Sequence, residues 1–254
     1  MSIELIAAII IFAFVCELID ASLGMGYGTI LSPVLLIYGF DPLVLVPAIL
    51  VSQAVGGLMA SVFHHKNGNA TFTKKSNDTK IVVVITAFGI LATIVAAIVA
   101  FSIPKIWLKT YISTMVLSMG LLIVAGIRLK FTWKKMMGIG VLSAFNKALT
   151  GGAFGPVVTG AQIICGKEEK GSIGCTTLAE APICIASFLS YFVLTTASDK
   201  YLDWPLITCM GIGAVLAGPI GAYVTKVIPT KPLKFLVGIS IVGLGVWSFI
   251  KVFC

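Results

Sequence analysis

Six apolar stretches of about twenty residues each decide what this chain can fold into, because roughly 20 residues of helix cross a bilayer core. They occupy residues 43–63, 81–101, 107–127, 172–195, 204–224 and 233–253. With 58% hydrophobic and 11% charged residues, the chain also has too little polar surface to cover a globule in water. The sequence therefore predicts an all-α polytopic membrane protein, and it excludes a soluble enzyme, a nucleic-acid binder and a secreted disulfide scaffold.

Two further apolar stretches, residues 3–39 and 136–166, are interrupted and do not fit one simple span. The first is broken by D-A-S-L-G-M-G-Y-G at residues 20–28, and the second by N-K-A-L-T-G-G-A-F-G-P at residues 146–156. A shift of 127 positions, half of the 254 residues, brings Gly24 onto Gly151 and Gly28 onto Gly155. We therefore predict a tandem duplication, with residues 1–130 and 131–254 as two membrane repeats, each a broken element followed by three transmembrane helices.

The loop charges predict how the two repeats are oriented. If both broken elements return to their starting side, four lysines face thirteen basic residues across the membrane, whereas full crossings give a split of ten to seven. The smaller group is Lys105, Lys109, Lys200 and Lys251, and the larger is Lys66, Lys74, Lys75, Lys80, Arg128, Lys130, Lys134, Lys135, Lys167, Lys170, Lys226, Lys231 and Lys234. Cytoplasmic loops are enriched in Lys and Arg, so we expect re-entrant elements and inverted repeats. The protein is expected to lie in the cell (inner) membrane with both termini on its outer side.

The glycine clusters in the two breaks predict a binding site. Freed backbone groups at membrane depth must face protein or a watery cavity, and two symmetry-related breaks point to one central site. The helices that resume after each break are expected to present uncapped N–H groups, which suit an anion. The alternative is that the glycines only permit tight helix packing.

Polar residues accompany both breaks. The candidate substrate-binding residues are Gly24, Gly26, Tyr27, Gly28, Thr29, Asn146, Lys147, Thr150, Gly151 and Gly152, and Thr176 and Thr177 are further cavity-lining candidates. Asp20 and Lys147 occupy equivalent places under the 127-residue shift. Lys147 is therefore expected either to attract the anion directly or to neutralise Asp20 in an ion pair that ties the two halves together.

A second equivalent pair, Gln53 and Glu180, lies in the span after each break. With Asp20, these two residues are the candidate coupling residues, because an isolated carboxyl group at this depth suits the binding of a proton. Alternatively, Glu180 does not take part in coupling and is a neutral hydrogen-bond donor to a helix backbone. Glu17 lies one helical turn before Asp20, and it is expected either to supplement Asp20 or to be solvated near the break.

Other chemistry is weakly indicated. His64 and His65 are adjacent and cannot both face one side of a helix, so we predict no metal site, and we predict no cofactor. The cysteines are interpreted as small packing residues. The chain has no P-loop, so active transport would draw on a proton or ion gradient or on a partner ATPase.

The motifs L-G-M-G-Y-G-T-I-L-S-P at residues 23–33 and A-L-T-G-G-A-F-G-P at residues 148–156 resemble the TauE/SafE family of sulfite and sulfonate exporters. The resemblance extends over nearly the whole chain and implies a secondary transporter of small sulfur-containing anions, usually outward. Members of the family differ in substrate. This chain also has Ala153 where the first motif has Gly26, so the two breaks are not equivalent.

The expected partners are a small anionic substrate, a coupling proton or ion, and the lipid bilayer. Two rival functions remain open at this stage. One is a passive anion channel, and the other is a membrane protein in which Cys165, Cys175 or Cys184 reacts with a sulfur compound. A homodimer is a further open alternative.

Overall fold

The computed structural model describes residues 3–125, 133–164, 166–198, 201–228 and 230–253, which form ten α-helices and no strand. The helices are α1 (Ile3–Leu23), α2 (Tyr27–Ile37), α3 (Pro42–Lys66), α4 (Asn77–Ser102), α5 (Lys105–Ala125), α6 (Trp133–Thr150), α7 (Phe154–Ile164), α8 (Glu169–Ala197), α9 (Trp204–Val227) and α10 (Thr230–Phe253). Within the described residues, α3, α4, α5, α8 and α9 are long and apolar enough to cross a membrane. The protein is therefore an all-helical, multi-pass membrane protein.

The six predicted spans coincide with α3, α4, α5, α8, α9 and α10, except that the last residues of the stretch 107–127 lie outside the described part. The two interrupted stretches are broken where predicted, since α1 and α2 are separated by residues 24–26 and α6 and α7 by residues 151–153. We call these three-residue segments elbow one and elbow two. The predicted boundary between the repeats, at residues 130 and 131, lies outside the described residues.

Three spans begin at side chains that cap them. The Asp41 carboxylate accepts from the Leu43 N–H, directly before a proline at the first position of α3. The Asp203 carboxylate accepts from the Leu206 N–H at the start of α9. The Ser76 hydroxyl accepts from the Thr79 N–H at the start of α4. Such caps satisfy N–H groups that have no partner within the helix, which explains why these helices begin at these residues.

The helices of one half pack on those of the other in matching pairs. Helix α1 packs on α9, and its counterpart α6 packs on α4; likewise α3 packs on α9 and α8 on α4. Helices α3 and α8 meet each other, as do α5 and α10. These packing pairs correspond under the 127-residue shift, and the larger hydrophobic core cluster contains buried residues from both halves.

Glycine contacts give the helix directions. On α9, Gly213 packs against Ile10 and Gly221 against Leu18, so α1 and α9 run in the same direction. Gly218 lies against Ala60, while Gly211 lies nearest Val55, so α3 also runs in the direction of α9. Because α1 and α3 are parallel, α2 must bring the chain back towards the end where α1 began.

The two ends of the bundle can be named by their ion pairs. At the Asp41 end, Asp41 pairs with Lys105, and the Lys251 ammonium donates to the Ile37 carbonyl over 2.6 Å. At the Asp78 end, Asp78 pairs with Lys167. Since Ile37 ends α2 and Lys167 follows α7, the first broken element returns to the Asp41 end and the second to the Asp78 end.

Candidate functional site at the paired elbows

The two elbows touch through their backbones. A Cβ atom added to Gly28 would lie 1.6 Å from the Gly151 carbonyl oxygen, and one added to Gly155 would lie 2.3 Å from the Gly24 carbonyl oxygen. These two contacts are related by the 127-residue shift, and only glycine fits either position. The two breaks therefore meet in the interior, as expected, but they are closed on each other, so a guest between them requires the elbows to separate.

The backbone of the two elbows follows a related path. Gly24 has a φ of 70° and Gly151 a φ of 77°, in the left-handed region that favours glycine. Gly26 has a φ of 137°, and its counterpart Ala153 has a φ of 67°, the one positive φ at a non-glycine residue within the described part of the chain. A side chain in this region is strained, so elbow two carries a conformational cost that elbow one does not.

Side chains hold each elbow from the opposite half. The Ser32 hydroxyl on α2 donates to the Thr150 carbonyl over 2.6 Å, and the Thr159 hydroxyl on α7 donates to the Gly24 carbonyl over 3.1 Å. Ser32 and Thr159 are equivalent under the shift. Sequence reasoning missed both residues, although aligning the two halves places one hydroxyl above the other.

A second matched pair ties each half's first helix to its own span. The His64 Nε2 lies 3.0 Å from the Ala21 carbonyl, and the Tyr191 hydroxyl donates to the Ala148 carbonyl over 3.0 Å. His64 aligns with Tyr191, and Ala21 with Ala148, under the same shift. His64 thus hydrogen-bonds to the backbone just before elbow one, and its other ring nitrogen faces the Asn69 amide.

Four candidate residues form one buried chain of polar contacts. The Lys147 ammonium lies 2.8 Å from a Glu180 carboxylate oxygen and also donates to the Gln53 amide oxygen. The Gln53 amide nitrogen donates to Asp20 over 3.0 Å. Each of these four side chains is less than a tenth exposed. The ion-pair interpretation needs correction, because Lys147 pairs with Glu180 of its own half and reaches Asp20 only through Gln53.

Asp20 occupies the N-terminus of α2. Its carboxylate accepts from the Tyr27 backbone N–H over 3.2 Å, which is the first N–H of the resumed helix. The expectation of uncapped N–H groups after both breaks is therefore wrong for this first group of α2, where the protein supplies its own carboxylate. The equivalent position before α7 carries Lys147. The charged residues at equivalent positions before the two elbows, Asp20 and Lys147, are thus opposite in sign.

The remaining candidate residues lie around these contacts. Tyr27 is fully buried, and its hydroxyl donates to Ser52 over 2.6 Å. The Asn146 amide oxygen accepts from the Tyr111 hydroxyl, which lies on α5. The Thr150 hydroxyl accepts from the Gly152 N–H within elbow two, and Thr29 is buried at the first turn of α2. All of the predicted substrate-binding residues are therefore brought together at or next to the elbows.

Glu17 is buried and has no hydrogen-bond partner among the residues that the structure describes. Its exposed fraction is 0%, and its carboxyl group lies against Gly56 on α3. The interpretation of Glu17 as solvated near the break is wrong. An unpaired charge at this depth would be very costly.

Thiols and histidines form no obvious reactive centre among the described residues. Cys16, Cys175, Cys184 and Cys209 are buried free thiols, while Cys165 and Cys254 lie outside the described part. No cluster of three or more His, Cys, Asp or Glu side chains suited to a metal ion occurs in the described residues. His65 instead hydrogen-bonds to the loop after α3, at the Ala70 carbonyl.

The sequence of the chain matches a known protein family. A family model described as "Sulfite exporter TauE/SafE" matches residues 9–248. The "Probable membrane transporter protein YtnM" of Bacillus subtilis (strain 168) is 26% identical over an alignment covering 91% of this chain and 79% of that protein. No solved structure matches the chain. With the family model matching nearly its whole length and two interlocked elbows at its centre, the chain belongs to the TauE/SafE sulfite exporter family and is a membrane transporter rather than an enzyme.

Proposed function

We propose that this transporter carries a small sulfur-containing anion, such as sulfite or a sulfonate, out of the cell, and that the anion binds between the two elbows. The observation that carries the proposal is the position of Lys147, a fully buried cation beside elbow two, in a cluster to which both halves contribute. A buried lysine in a membrane span is costly and marks a pathway or a paired site. The backbone N–H groups at the start of α7 would supply the neutral donors.

Charge balance around Lys147 favours coupling to a proton. With Asp20 and Glu180 both ionised, the cluster carries one net negative charge, which repels an incoming anion. Protonation of Glu180 would release Lys147 to pair with the anion, and protonation of Asp20 would lower the negative charge of the cluster. With one proton and one monovalent anion bound, the cluster would keep the net charge that it has when empty. The anion and the proton would then bind together and cross in the same direction, so export requires an outward anion gradient that exceeds any inward proton gradient.

The helix directions support an alternating-access cycle between inverted repeats. The first broken element opens towards the Asp41 end and the second towards the Asp78 end, as expected for two halves of opposite orientation. In the described arrangement the elbows are in contact, so the cycle would separate them by rocking one half against the other. We propose that the Asp78 end faces the cytoplasm and both termini lie outside, because thirteen of the loop charges are assigned to that end.

Countertransport in proteoliposomes tests the proposal. Vesicles loaded with unlabelled sulfite should take up radiolabelled sulfite in a saturable manner, and thiosulfate, sulfoacetate, taurine and a simple carboxylate should be compared as competitors. A carrier shows exchange that is faster than net flux, whereas a passive channel shows neither saturation nor exchange acceleration. If neither sulfite nor any of the other compounds supports saturable exchange, the proposed substrate class is overturned.

The same assay decides the thiol alternative. Cys16, Cys175 and Cys184 are fully or almost fully buried, which is typical of packing thiols. A variant with all six cysteines replaced by Ala or Ser should retain sulfite exchange. Loss of exchange in a variant that still folds would instead favour a reaction at a thiol.

A further inference from the structure

A file of buried polar side chains runs between α7 and α8 from the elbows towards the Asp78 end. The Gln162 amide nitrogen donates to the Thr176 hydroxyl over 2.8 Å, and the Thr159 hydroxyl lies 3.0 Å from the same oxygen. The Gln162 amide also lies 3.4 Å from the Ser172 carbonyl, one helical turn nearer the end of the bundle. None of these four side chains is more than 1% exposed. We call them the α7/α8 polar file.

The file joins the central cluster to the end of the bundle. Ser172, Thr176 and Glu180 are spaced four residues apart on α8, so they lie on one face of that helix. At a rise of 1.5 Å per residue, Ser172 lies about 12 Å from Glu180 along α8, in the direction of the Asp78 end. Its inner end is the Thr159 hydroxyl, which donates to the Gly24 carbonyl in elbow one.

The file contains an unfilled hydrogen-bonding position. The Gln162 amide oxygen is buried, and no described residue forms a hydrogen bond with it. A buried amide oxygen without a partner costs about 1–3 kcal/mol, and in native structures such atoms commonly bind an ordered water.

The equivalent region of the first half is apolar. Under the 127-residue shift, the file corresponds to Ser32, Leu35, Leu45 and Ile49, all of which are buried. Only the residue that contacts the opposite elbow keeps its hydroxyl. The first turns of α3 read P-L-V-L-V-P-A-I-L, whereas those of α8 read E-K-G-S-I-G-C-T-T. Packing alone does not require this difference, because the two helices occupy matching places in the bundle.

We propose that the α7/α8 polar file takes up water during the transport cycle and then forms a path for protons between the Asp78 end and the Lys147–Glu180 pair, whereas its apolar counterpart keeps the Asp41 end sealed. Hydroxyl and amide groups both donate and accept hydrogen bonds, so they can order a file of water without binding any ion tightly. That protons move along the path rests on the proposed function, whereas the entry of water into the path does not.

Solvent access tests the path without any substrate. In the cysteine-free background, single cysteines replace Ser172 and Thr176 in the file, and Leu45 and Ile49 at the matched positions. Each is exposed to a membrane-impermeant methanethiosulfonate reagent from either side of the membrane. Because only a hydrated thiol ionises to the reactive thiolate, we expect modification of S172C and T176C from the Asp78 end to be at least about tenfold faster than that of L45C and I49C from either side. Equal rates at the matched positions, or no modification of S172C and T176C, would overturn the proposal.

A transport measurement tests the role in proton movement. T176V replaces the central hydroxyl by a methyl group of similar size and should reduce sulfite-dependent proton movement, detected with a pH dye trapped in the vesicles. The matched control is T196V on the same helix, where an exposed hydroxyl bonds to the Phe192 carbonyl over 2.9 Å. If T176V folds and moves protons at the wild-type rate, the path does not carry them. If wild-type protein carries no sulfite but S172C is modified, the substrate proposal fails and the water path stands.

Discussion

The Lys147 ammonium and a Glu180 carboxylate oxygen lie 2.8 Å apart in a salt bridge whose side chains are 1% and 5% exposed. A buried pair of this kind contributes little net stability, because the cost of removing both charges from water offsets their attraction. Its significance for transport is that either partner can be neutralised by a ligand or a proton. The pair therefore connects the stability of this arrangement to the occupancy of the site.

Removing only one partner should destabilise the protein. We expect Lys147→Met to lower the free energy of unfolding by about 3–5 kcal/mol, because it leaves the Glu180 charge buried and unpaired. The double variant Lys147→Met with Glu180→Gln removes both charges and should recover most of the loss. Thermal unfolding in detergent, followed by circular dichroism or tryptophan fluorescence, measures both. Equal stability of the single and double variants would show that the pair is not formed.

The elbow contact should tolerate no side chain at its glycines. Gly155→Ala places a methyl group against the Gly24 carbonyl and should abolish folding or separate the elbows. Gly160→Ala is the matched control on the same helix, since a Cβ atom there meets nothing within 4 Å. It should leave stability unchanged or raise it by up to about 1 kcal/mol, because alanine favours a helix over glycine. Similar behaviour of the two variants in size-exclusion chromatography and thermal unfolding would contradict the interlock.

The buried carboxyl group of Glu17 should lower the stability of the folded protein, and we expect it to be needed for transport. Glu17→Met fills the same space without a polar group and should raise the free energy of unfolding by about 1–3 kcal/mol. If the carboxyl group takes part in transport, sulfite exchange falls in the same variant. Glu4→Gln, at an exposed position near the start of α1, is the control for loss of a carboxylate. A destabilised Glu17→Met variant would indicate that Glu17 has a partner after all.

The cap of α3 should give a small pH effect at the acidic end of the scale. Burial raises the pKa of Asp41, but the Lys105 ammonium and the Leu43 N–H outweigh burial and hold the pKa below its usual value. Because this pKa is depressed in the folded state, the contribution of Asp41 is present above its unfolded pKa of about 3.9 and is lost as the pH falls through the lower folded value.

Asp41→Asn keeps a helix cap and removes the charge. It should lower stability at neutral pH by no more than about 1 kcal/mol, because Lys105 is exposed and Asp41 is only partly buried. Thermal unfolding between pH 3 and pH 7 should show the wild-type and variant curves converging at the acidic end. Parallel curves across the whole range would show that the carboxylate contributes nothing through its charge.

The sequence predicts the helices and breaks well because bilayer thickness sets the length of each span and glycine clusters mark the interruptions. The spans at residues 43–63 and 172–195 lie inside α3 and α8, and both breaks fall where the glycines are. The family resemblance, carried by the same two motifs, is confirmed by a family match over residues 9–248.

Partner choice within the site is harder to predict, because it depends on three-dimensional packing. The alignment of the halves puts Lys147 opposite Asp20, yet Lys147 pairs with Glu180, and Gln53 bridges the remaining gap. Glu17 could not be recognised as buried, since its position beside a break allows either solvent or protein as its surroundings. Residues that only the duplication reveals, such as Ser32 and Thr159, needed the two halves to be compared position by position.

The most direct test of the account is sulfite countertransport by the double variant Lys147→Met with Glu180→Gln, which removes both charges of the pair and leaves the net charge of the cluster unchanged. Wild-type proteoliposomes should show saturable exchange of radiolabelled sulfite that accelerates as the external pH is lowered, because anion and proton bind together. The double variant should be folded and about as stable as the wild type but should exchange sulfite at the rate of empty liposomes. Wild-type exchange in the double variant would contradict the account, since the anion would then bind without the buried lysine.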